Sequence, residues 1–153
     1  MKNSLLLFAF AVLLAACNTE EYNEHSLIEM KKDPCFGFCP VYAFRVNGKG
    51  NARFDGERNV SKEGTWERTL SQAETKALFD AFVKSNFDDF DDEYTDMVTD
   101  LPTTWLTFRH GGINKTVKDY YGAPESLRAL EQLVEAIAET DEGWVKTSEN
   151  PGH

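Results

Sequence analysis

The sequence predicts an α+β fold, in which an antiparallel sheet of about five strands carries two helices on one face, in the order β-β-β-α-β-β-α. Three observations predict this class. Several short segments alternate apolar with polar residues and are separated by glycine-containing turns, which is typical of antiparallel strands. Two longer segments instead place apolar residues at the spacing of a helix. Each helical segment follows a group of strands, which favours helices packed against one side of a sheet.

The first three strands are predicted over residues 41–46, 51–54 and 65–70, because apolar residues alternate with polar ones in each of them. The Asn-Gly pair at 47–48 begins the turn between the first two strands. This pair favours a tight hairpin, since both residues tolerate a positive φ. A polar stretch rich in turn residues separates the second strand from the third.

The first helix is predicted to begin after Ser71 and to end near residue 85. Ser71 and Glu74 have the spacing of a capping box. In this motif the serine hydroxyl accepts a hydrogen bond from a free backbone amide of the first turn. The glutamate side chain accepts in turn from the amide of the serine.

Two further strands are predicted over residues 103–109 and 113–120, on either side of a Gly-Gly turn. Pro124 follows at the first position of a second helix, where the missing amide hydrogen has no cost. Leucine, valine and isoleucine residues at helical spacing continue this helix to about residue 139.

The first sixteen residues have the features of a signal peptide and are excluded from the fold. Residues 5–16 are twelve consecutive apolar residues. A helix of that length spans only ~18 Å, which is short of the ~30 Å hydrocarbon core of a bilayer. The segment Leu14-Ala15-Ala16-Cys17 resembles a bacterial lipobox, which implies cleavage before Cys17 and diacylation of its thiol. Asn18, where some lipoproteins have aspartate, resembles the signal for transfer to the outer membrane of a Gram-negative cell.

We therefore predict a lipoprotein signal peptide at residues 1–16, a polar tether at 17–32, a single domain at 33–146 and a loose tail at 147–153. The membrane is the first predicted partner, through acyl chains on Cys17. Each acyl CH₂ buried in lipid contributes ~0.8 kcal/mol, so two or three chains anchor a protein without help from basic residues.

The charge balance excludes some functions. The chain has 26 acidic and 16 basic residues and a formal net charge of -10. Binding to nucleic acid requires clustered lysine and arginine, and so does attachment to anionic lipid by charge. Neither function is expected of this protein.

Cys35 and Cys39 remain after Cys17 is assigned to the lipid anchor. The cell envelope outside the inner membrane is oxidising, so we predict a disulfide between them. Three intervening residues, one of them glycine, allow the two Cα atoms to approach to the ~5.5 Å that a bridge needs. Two alternatives stay open. The C-x-x-x-C-P motif resembles the copper-binding loop of Sco-type copper chaperones, although no suitably placed histidine accompanies it. The second alternative is a pair of free thiols.

The segment from Asp88 to Asp100 contains seven acidic residues in thirteen positions. Four of them have the offsets of ligands in an EF-hand loop, and oxygen ligands at this density suit Ca²⁺. However, the glycine that such a loop needs at its sixth position is Tyr94, and the last ligand is aspartate rather than glutamate. We interpret the segment as a solvated acidic loop and predict no metal site.

No catalytic group of residues is evident. The sequence lacks a G-x-S-x-G motif, a phosphate-binding glycine loop and a dinucleotide-binding motif, so we predict neither an enzyme nor a cofactor. Four aromatic residues have the chemistry to stack on sugars, but packing in a core or at a protein interface is the more common use: Trp66, Trp105, Tyr120 and Tyr121.

Three segments carry a resemblance to a family of bacterial envelope proteins of unknown function, lipid-anchored or secreted. The segment CFGFCPVY at 35–42 is similar to the pattern C-F-G-x-C-P-x-Y, TDLP at 99–102 to T-D-x-P, and the segment that ends in YGAP at 121–124 to Y-x-G-A-P. The resemblance covers most of the domain. It implies no catalytic residues.

The function expected from these observations is that of a lipid-anchored binding or interaction module, whose partner is another protein of the Gram-negative envelope. The alternative is a metal- or redox-handling protein, or an enzyme, that uses Cys35 and Cys39 or the acidic segment Asp88–Asp100.

Overall fold

The computed structural model describes residues 22–149. The predicted signal peptide, Cys17, the first part of the tether and residues 150–153 lie outside the described residues. The described residues form two helices, α1 (Gln72–Lys84) and α2 (Glu125–Glu139), and a short 3-10 helix at Phe87–Asp89. The strands are β1 (Leu27–Lys32), β2 (Val41–Asn47), β3 (Asn51–Arg58), β4 (Gly64–Thr69), β5 (Glu93–Tyr94), β6 (Thr104–His110), β7 (Ile113–Asp119) and β8 (Val145–Ser148).

All eight strands belong to one sheet, in the order β5-β7-β6-β1-β2-β3-β4-β8. Neighbouring strands are antiparallel, except that β5 pairs with β7 in parallel. The α+β class is therefore confirmed, but the expectation of about five strands, all antiparallel, is an undercount.

The strands that the sequence analysis missed were missed for physical reasons. β1 lies in the segment assigned to a tether, yet it pairs with β6 on one side and β2 on the other. It contributes only Ile28 and Met30 to the core, too few to produce a clear alternating pattern. β5 has two residues, and β8 has four exposed residues in a segment assigned partly to the tail. Their pairing partners, not their own hydrophobicity, make these segments strands.

The two helices cover one face of the sheet, as predicted. The capping box of α1 is present, since Ser71 Oγ accepts from the amide of Glu74 and Glu74 Oε2 accepts from the amide of Ser71. Pro124 is the N-cap residue of α2, whereas the sequence predicted it as the first residue of the helix. The core between helices and sheet is rich in phenylalanine, with ring centroids 5.3 Å apart for Phe82 and Phe108. The largest fully buried side chains are Phe44, Phe54, Phe79, Phe82, Phe87, Phe108, Ile28, Met30 and Leu106.

The other face of the sheet carries polar side chains. One row crosses five strands in register and consists of Thr107, Glu29, Arg45, Arg53 and Glu67. Four of its five members are charged, two acidic and two basic, as is usual for a sheet face in contact with water. Within residues 22–149, neither helix has both the length and the apolar character needed to cross a membrane.

The sheet has two distinct ends. Tyr22, where the described chain begins, lies at the end that also holds the turns after β2 and β6. Its ring packs 4.8 Å from those of Phe79 and His110, and its hydroxyl donates to Asp80 Oδ1 at 2.7 Å. α2 crosses the sheet near the opposite end, where Lys32 pairs with Glu135.

Candidate functional site

The connection between β1 and β2 forms an exposed loop at the end of the sheet opposite Tyr22. Cys35 and Cys39 are joined there by a disulfide, with Cα atoms 5.8 Å apart, in agreement with the predicted pair. The ring thus closed contains Phe36 and Phe38, whose side chains are 93% and 94% exposed. Two phenylalanines that touch almost nothing else in the domain are unusual, because side chains of this kind are normally buried.

Hydrogen bonds hold the base of this loop. The amide of Asp33 donates to the carbonyl of Thr103 at 2.9 Å, and Asn59 Nδ2 donates to the carbonyl of Cys39 at 3.0 Å. Burial works to raise the pKa of the Asp33 carboxyl, but hydrogen bonds from Lys31 and Trp105 outweigh burial and bring this pKa below its ordinary value. Asp33 is therefore a charged anchor between β1 and β6. The loop has a fixed base and an exposed aromatic tip.

Two further loops meet the first at this end of the sheet. Residues 95–103 follow β5, and residues 120–124 precede α2. The hydroxyl of Tyr120 donates to the carbonyl of Val98 at 2.9 Å, and the amide of Tyr121 donates to the carbonyl of Tyr94 at 3.1 Å. We call residues 33–40, 95–103 and 120–124 the apical loops. The three segments that carry the family resemblance lie in or directly beside them.

The apical loops concentrate the exposed apolar surface. Among the described residues, eight large apolar side chains are exposed, and five of them belong to these loops: Phe36, Phe38, Met97, Leu101 and Tyr121. The other three are spread over α1, α2 and β8. Single exposed apolar residues need no explanation, whereas a contiguous exposed apolar patch is typical of an interaction site.

The charge of the apical loops has one sign. They contain Asp33, Asp96 and Asp100 and no lysine or arginine. Asp96 accepts a hydrogen bond from the amide of Met97, and Asp100 accepts one from the hydroxyl of Thr99. Neither carboxylate forms an ion pair with another side chain in residues 22–149. The exposed apolar side chains are thus accompanied by negative charge that the domain itself does not neutralise.

A buried glutamate lies behind the apical loops. Glu131 of α2 is 8% exposed, and its Oε1 atom has no hydrogen-bond partner. Burial, with the nearby carboxylates of Asp119 and Glu135, raises the pKa of Glu131 to about 8, although Lys32 and Arg128 oppose this. Glu131 is therefore mostly protonated at neutral pH. Glu131 is absent from the sequence-based predictions, although its position four residues after Leu127 places it on the apolar face of α2.

The acidic segment does not converge on one point. Lys115 pairs with Asp92 at 3.1 Å and Lys118 with Glu93 at 2.7 Å, while Phe87 is fully buried and fixes the segment to the core. Glu93 also lies in β5 rather than in a loop. Within residues 22–149, no group of three or more histidine, cysteine or acidic side chains is arranged to hold a metal ion.

The aromatic residues considered for sugar stacking do not share a surface. Trp105 lies on the polar face of the sheet, where its indole donates to Asp33 at 2.7 Å. Trp66 lies in register with Phe54 and packs partly against the core. Tyr120 bonds Val98, and only Tyr121 is exposed at the apical loops.

A groove lies at the opposite end of the sheet from the apical loops, beside Tyr22. It has a volume of about 740 Å³ and is lined by Tyr22, Lys76, Asp80 and His110, among others. Asp80 already binds the hydroxyl of Tyr22 and, at 2.6 Å, the ammonium of Lys76. His110 Nδ1 lies 3.0 Å from Ser26 Oγ, but Ser26 is buried, so this serine is not open to a substrate. These contacts secure the start of the described chain to the sheet.

Residues 26–138 match the family described as a domain of unknown function, DUF6438. The chain belongs to the DUF6438 family. The DUF6438 match begins one residue before β1 and ends one residue before the end of α2, so it contains all three apical loops and both helices. The family has no assigned molecular activity. No curated protein matches the chain.

Proposed function

We propose that this DUF6438 protein is a lipid-anchored protein of the Gram-negative outer membrane, which binds another envelope protein through its apical loops. The observation that carries this proposal is the pair Phe36 and Phe38, exposed on a loop that a disulfide closes. Aromatic side chains are enriched among the residues that dominate binding energy in protein interfaces. A loop that is already ordered also loses less conformational entropy on binding.

The direction of the chain supports this arrangement. β1 leads from the end of the sheet that holds Tyr22 to the apical loops, and its six residues span about 20 Å. Tyr22 is five residues from Cys17, which resembles the acylated cysteine of a lipobox, so the connection reaches at most about 18 Å. An anchor at Cys17 therefore attaches to the end of the domain opposite Phe36 and Phe38, and leaves the apical loops available to a partner.

In-cell photocrosslinking tests the binding function. The photoreactive amino acid p-benzoylphenylalanine replaces Phe36 in the full-length chain, and cells are irradiated before the envelope is extracted. We expect one reproducible adduct with an envelope protein, identified by mass spectrometry.

The matched control places the same photoreactive residue at Val83, an exposed apolar position on α1 outside the apical loops. This control should give no such adduct. The proposal is wrong if position 36 gives no protein adduct, or if positions 36 and 83 give the same adducts in equal yield.

A further inference from the structure

We infer that the partner presents an apolar pocket bordered by lysine or arginine side chains, and that Phe36 and Phe38 enter this pocket together. This inference rests on the proposed function and specifies the chemistry of the partner. Its two components are the apolar area of the disulfide loop and the uncompensated negative charge beside it.

The apolar component is large for so small a loop. A buried phenylalanine side chain covers 150–250 Å², so the two rings together supply roughly 300–500 Å² of contact. A typical stable interface buries about 800 Å² on each partner. Met97, Leu101 and Tyr121, which are exposed on the neighbouring loops, add further area. A flat partner surface would leave both rings partly in water, whereas a pocket removes them from it.

The disulfide keeps the two rings close together. Phe36 and Phe38 are separated only by Gly37, and all three lie within the ring that Cys35 and Cys39 close. The amide of Gly37 donates to the Sγ atom of Cys35 at 3.3 Å. Since the rings make almost no contact with the core, this closed ring is what restricts their relative positions. One pocket, or two adjacent ones, is therefore the complementary shape.

The charge component selects the surroundings of the pocket. Asp96 and Asp100 carry exposed carboxylates without an ionic partner in residues 22–149, and the apical loops contain no basic residue. Opposite charges across an interface speed association, while like charges brought together disfavour binding of the wrong partner. A partner with lysine or arginine around the pocket satisfies this requirement. An anionic bilayer does not, because it repels the same carboxylates.

A charge-reversal experiment tests the inference. The photoreactive residue at position 36 is combined with Asp96→Lys and Asp100→Lys in the full-length chain. We expect the yield of the adduct to fall about tenfold or more, since like charges then meet at the interface. The control, Asp88→Lys with Asp89→Lys, changes the net charge by the same amount outside the apical loops and should leave the yield within about twofold. Thermal melting of each variant verifies that it is folded.

The adduct itself supplies a second readout. Mass spectrometry of the crosslinked peptide should place Phe36 beside apolar residues of the partner that have lysine or arginine as neighbours. An adduct that forms equally well after charge reversal, or that maps to an acidic surface, overturns the inference but leaves the binding function standing. The absence of any adduct overturns the binding function instead.

Two further arms exclude other occupants. Residues 17–153 with Cys17→Ala, produced directly without the predicted signal peptide, are mixed with vesicles of phosphatidylcholine and phosphatidylglycerol, and we expect no co-sedimentation. If the protein does co-sediment, and if Phe36→Ala with Phe38→Ala abolishes this, the loop binds lipid and the inference is overturned. An adduct with twice the mass of the chain would show that the occupant is a second copy, which also overturns it.

Discussion

Glu131 shows how one residue can depart from the pattern of its own helix. α2 presents an apolar stripe to the sheet, and Glu131 lies within that stripe rather than on the exposed side. The ionised form of its carboxyl is unfavourable there, because the carboxylates of Asp119 and Glu135 are close and Lys32 is already paired with Glu135. The group retains its proton instead, which is the less costly state for a buried acid with acidic neighbours.

Replacing Glu131 should change how stability depends on pH. A carboxyl whose pKa is higher in the folded state than in the unfolded state favours folding most at low pH. That contribution is lost as the pH rises from about 4.5 to about 8. Glu131→Gln removes this titration. We measure the free energy of unfolding by urea denaturation at pH 5 and at pH 8. Between these two values, the free energy of unfolding of the wild type should fall by on the order of 3 kcal/mol more than that of the variant.

Glu125→Gln is the control for this measurement, because Glu125 is an exposed carboxylate on the same helix. It should keep the pH dependence of the wild type. Parallel pH profiles for Glu131→Gln and the wild type would show that Glu131 does not retain a proton in the folded protein.

At the scale of the element, the loop between β1 and β2 adds little to the core of the domain. Its disulfide spans only three intervening residues, and Phe36 and Phe38 contribute nothing to the core. The core is built by the strands and helices instead, with Phe44, Phe54 and others fully buried. The bridge therefore organises the apical loops more than it stabilises the domain.

Removing the bridge should have a modest effect on stability. For a closed loop of five residues, the loss of chain entropy in the unfolded state predicts a contribution of about 2 kcal/mol. We expect Cys35→Ser with Cys39→Ser to lower the free energy of unfolding by about 1–3 kcal/mol in chemical denaturation. When the photoreactive residue at position 36 is placed in this double variant, the yield of the adduct should fall by more than the loss of stability accounts for.

Non-reducing peptide mapping of the wild type is the companion measurement and should find the two cysteines linked. Stoichiometric copper bound tightly by the reduced protein would contradict this interpretation and favour the metal-handling alternative.

The acidic segment is a second element with a definite expectation. Two of its carboxylates are held by Lys115 and Lys118 on β7, and Glu93 is fixed in a strand. These contacts do not leave a set of oxygen atoms free to surround an ion. Calorimetric titration should show no Ca²⁺ binding tighter than about 10⁻⁴ M, the weak end of known sites. A large rise in melting temperature with Ca²⁺ would contradict this, because a ligand of the folded state stabilises it by mass action.

At the scale of the whole molecule, the two ends of the sheet carry different features. The contacts of Tyr22 with Asp80, Phe79 and His110 hold the start of the described chain at one end. The apical loops lie at the other. The sheet thus sets the distance between the proposed anchor and the proposed binding surface.

The anchor itself is tested by Cys17→Ala. We expect the wild type to enter the detergent phase in phase partitioning and the variant to remain in the aqueous phase as an unprocessed, unacylated precursor, because the thiol that would carry the acyl chains is gone. Mass spectrometry of the mature wild type should give Cys17 as its first residue. A mature protein that begins elsewhere and stays in the aqueous phase would show that the lipobox interpretation is wrong.

The sequence by itself determined the local structure of the elements with strong signals. The capping box at Ser71, the alternation in β2 and β6 and the apolar stripe of α2 each depend on residues close in the chain, so the pattern is complete within one segment. The pairing of Cys35 with Cys39 could likewise be predicted from the sequence, because the two cysteines are only four positions apart.

Only the tertiary structure decided which weak segments became strands and where the loops met. β1 is a strand because β6 and β2 pair with it on both sides, and β8 because it pairs with β4. The meeting of the three apical loops likewise depends on hydrogen bonds between residues far apart in the chain, such as Asp33 with Thr103. Such pairings are long-range, so no single segment of the sequence contains the information that specifies them.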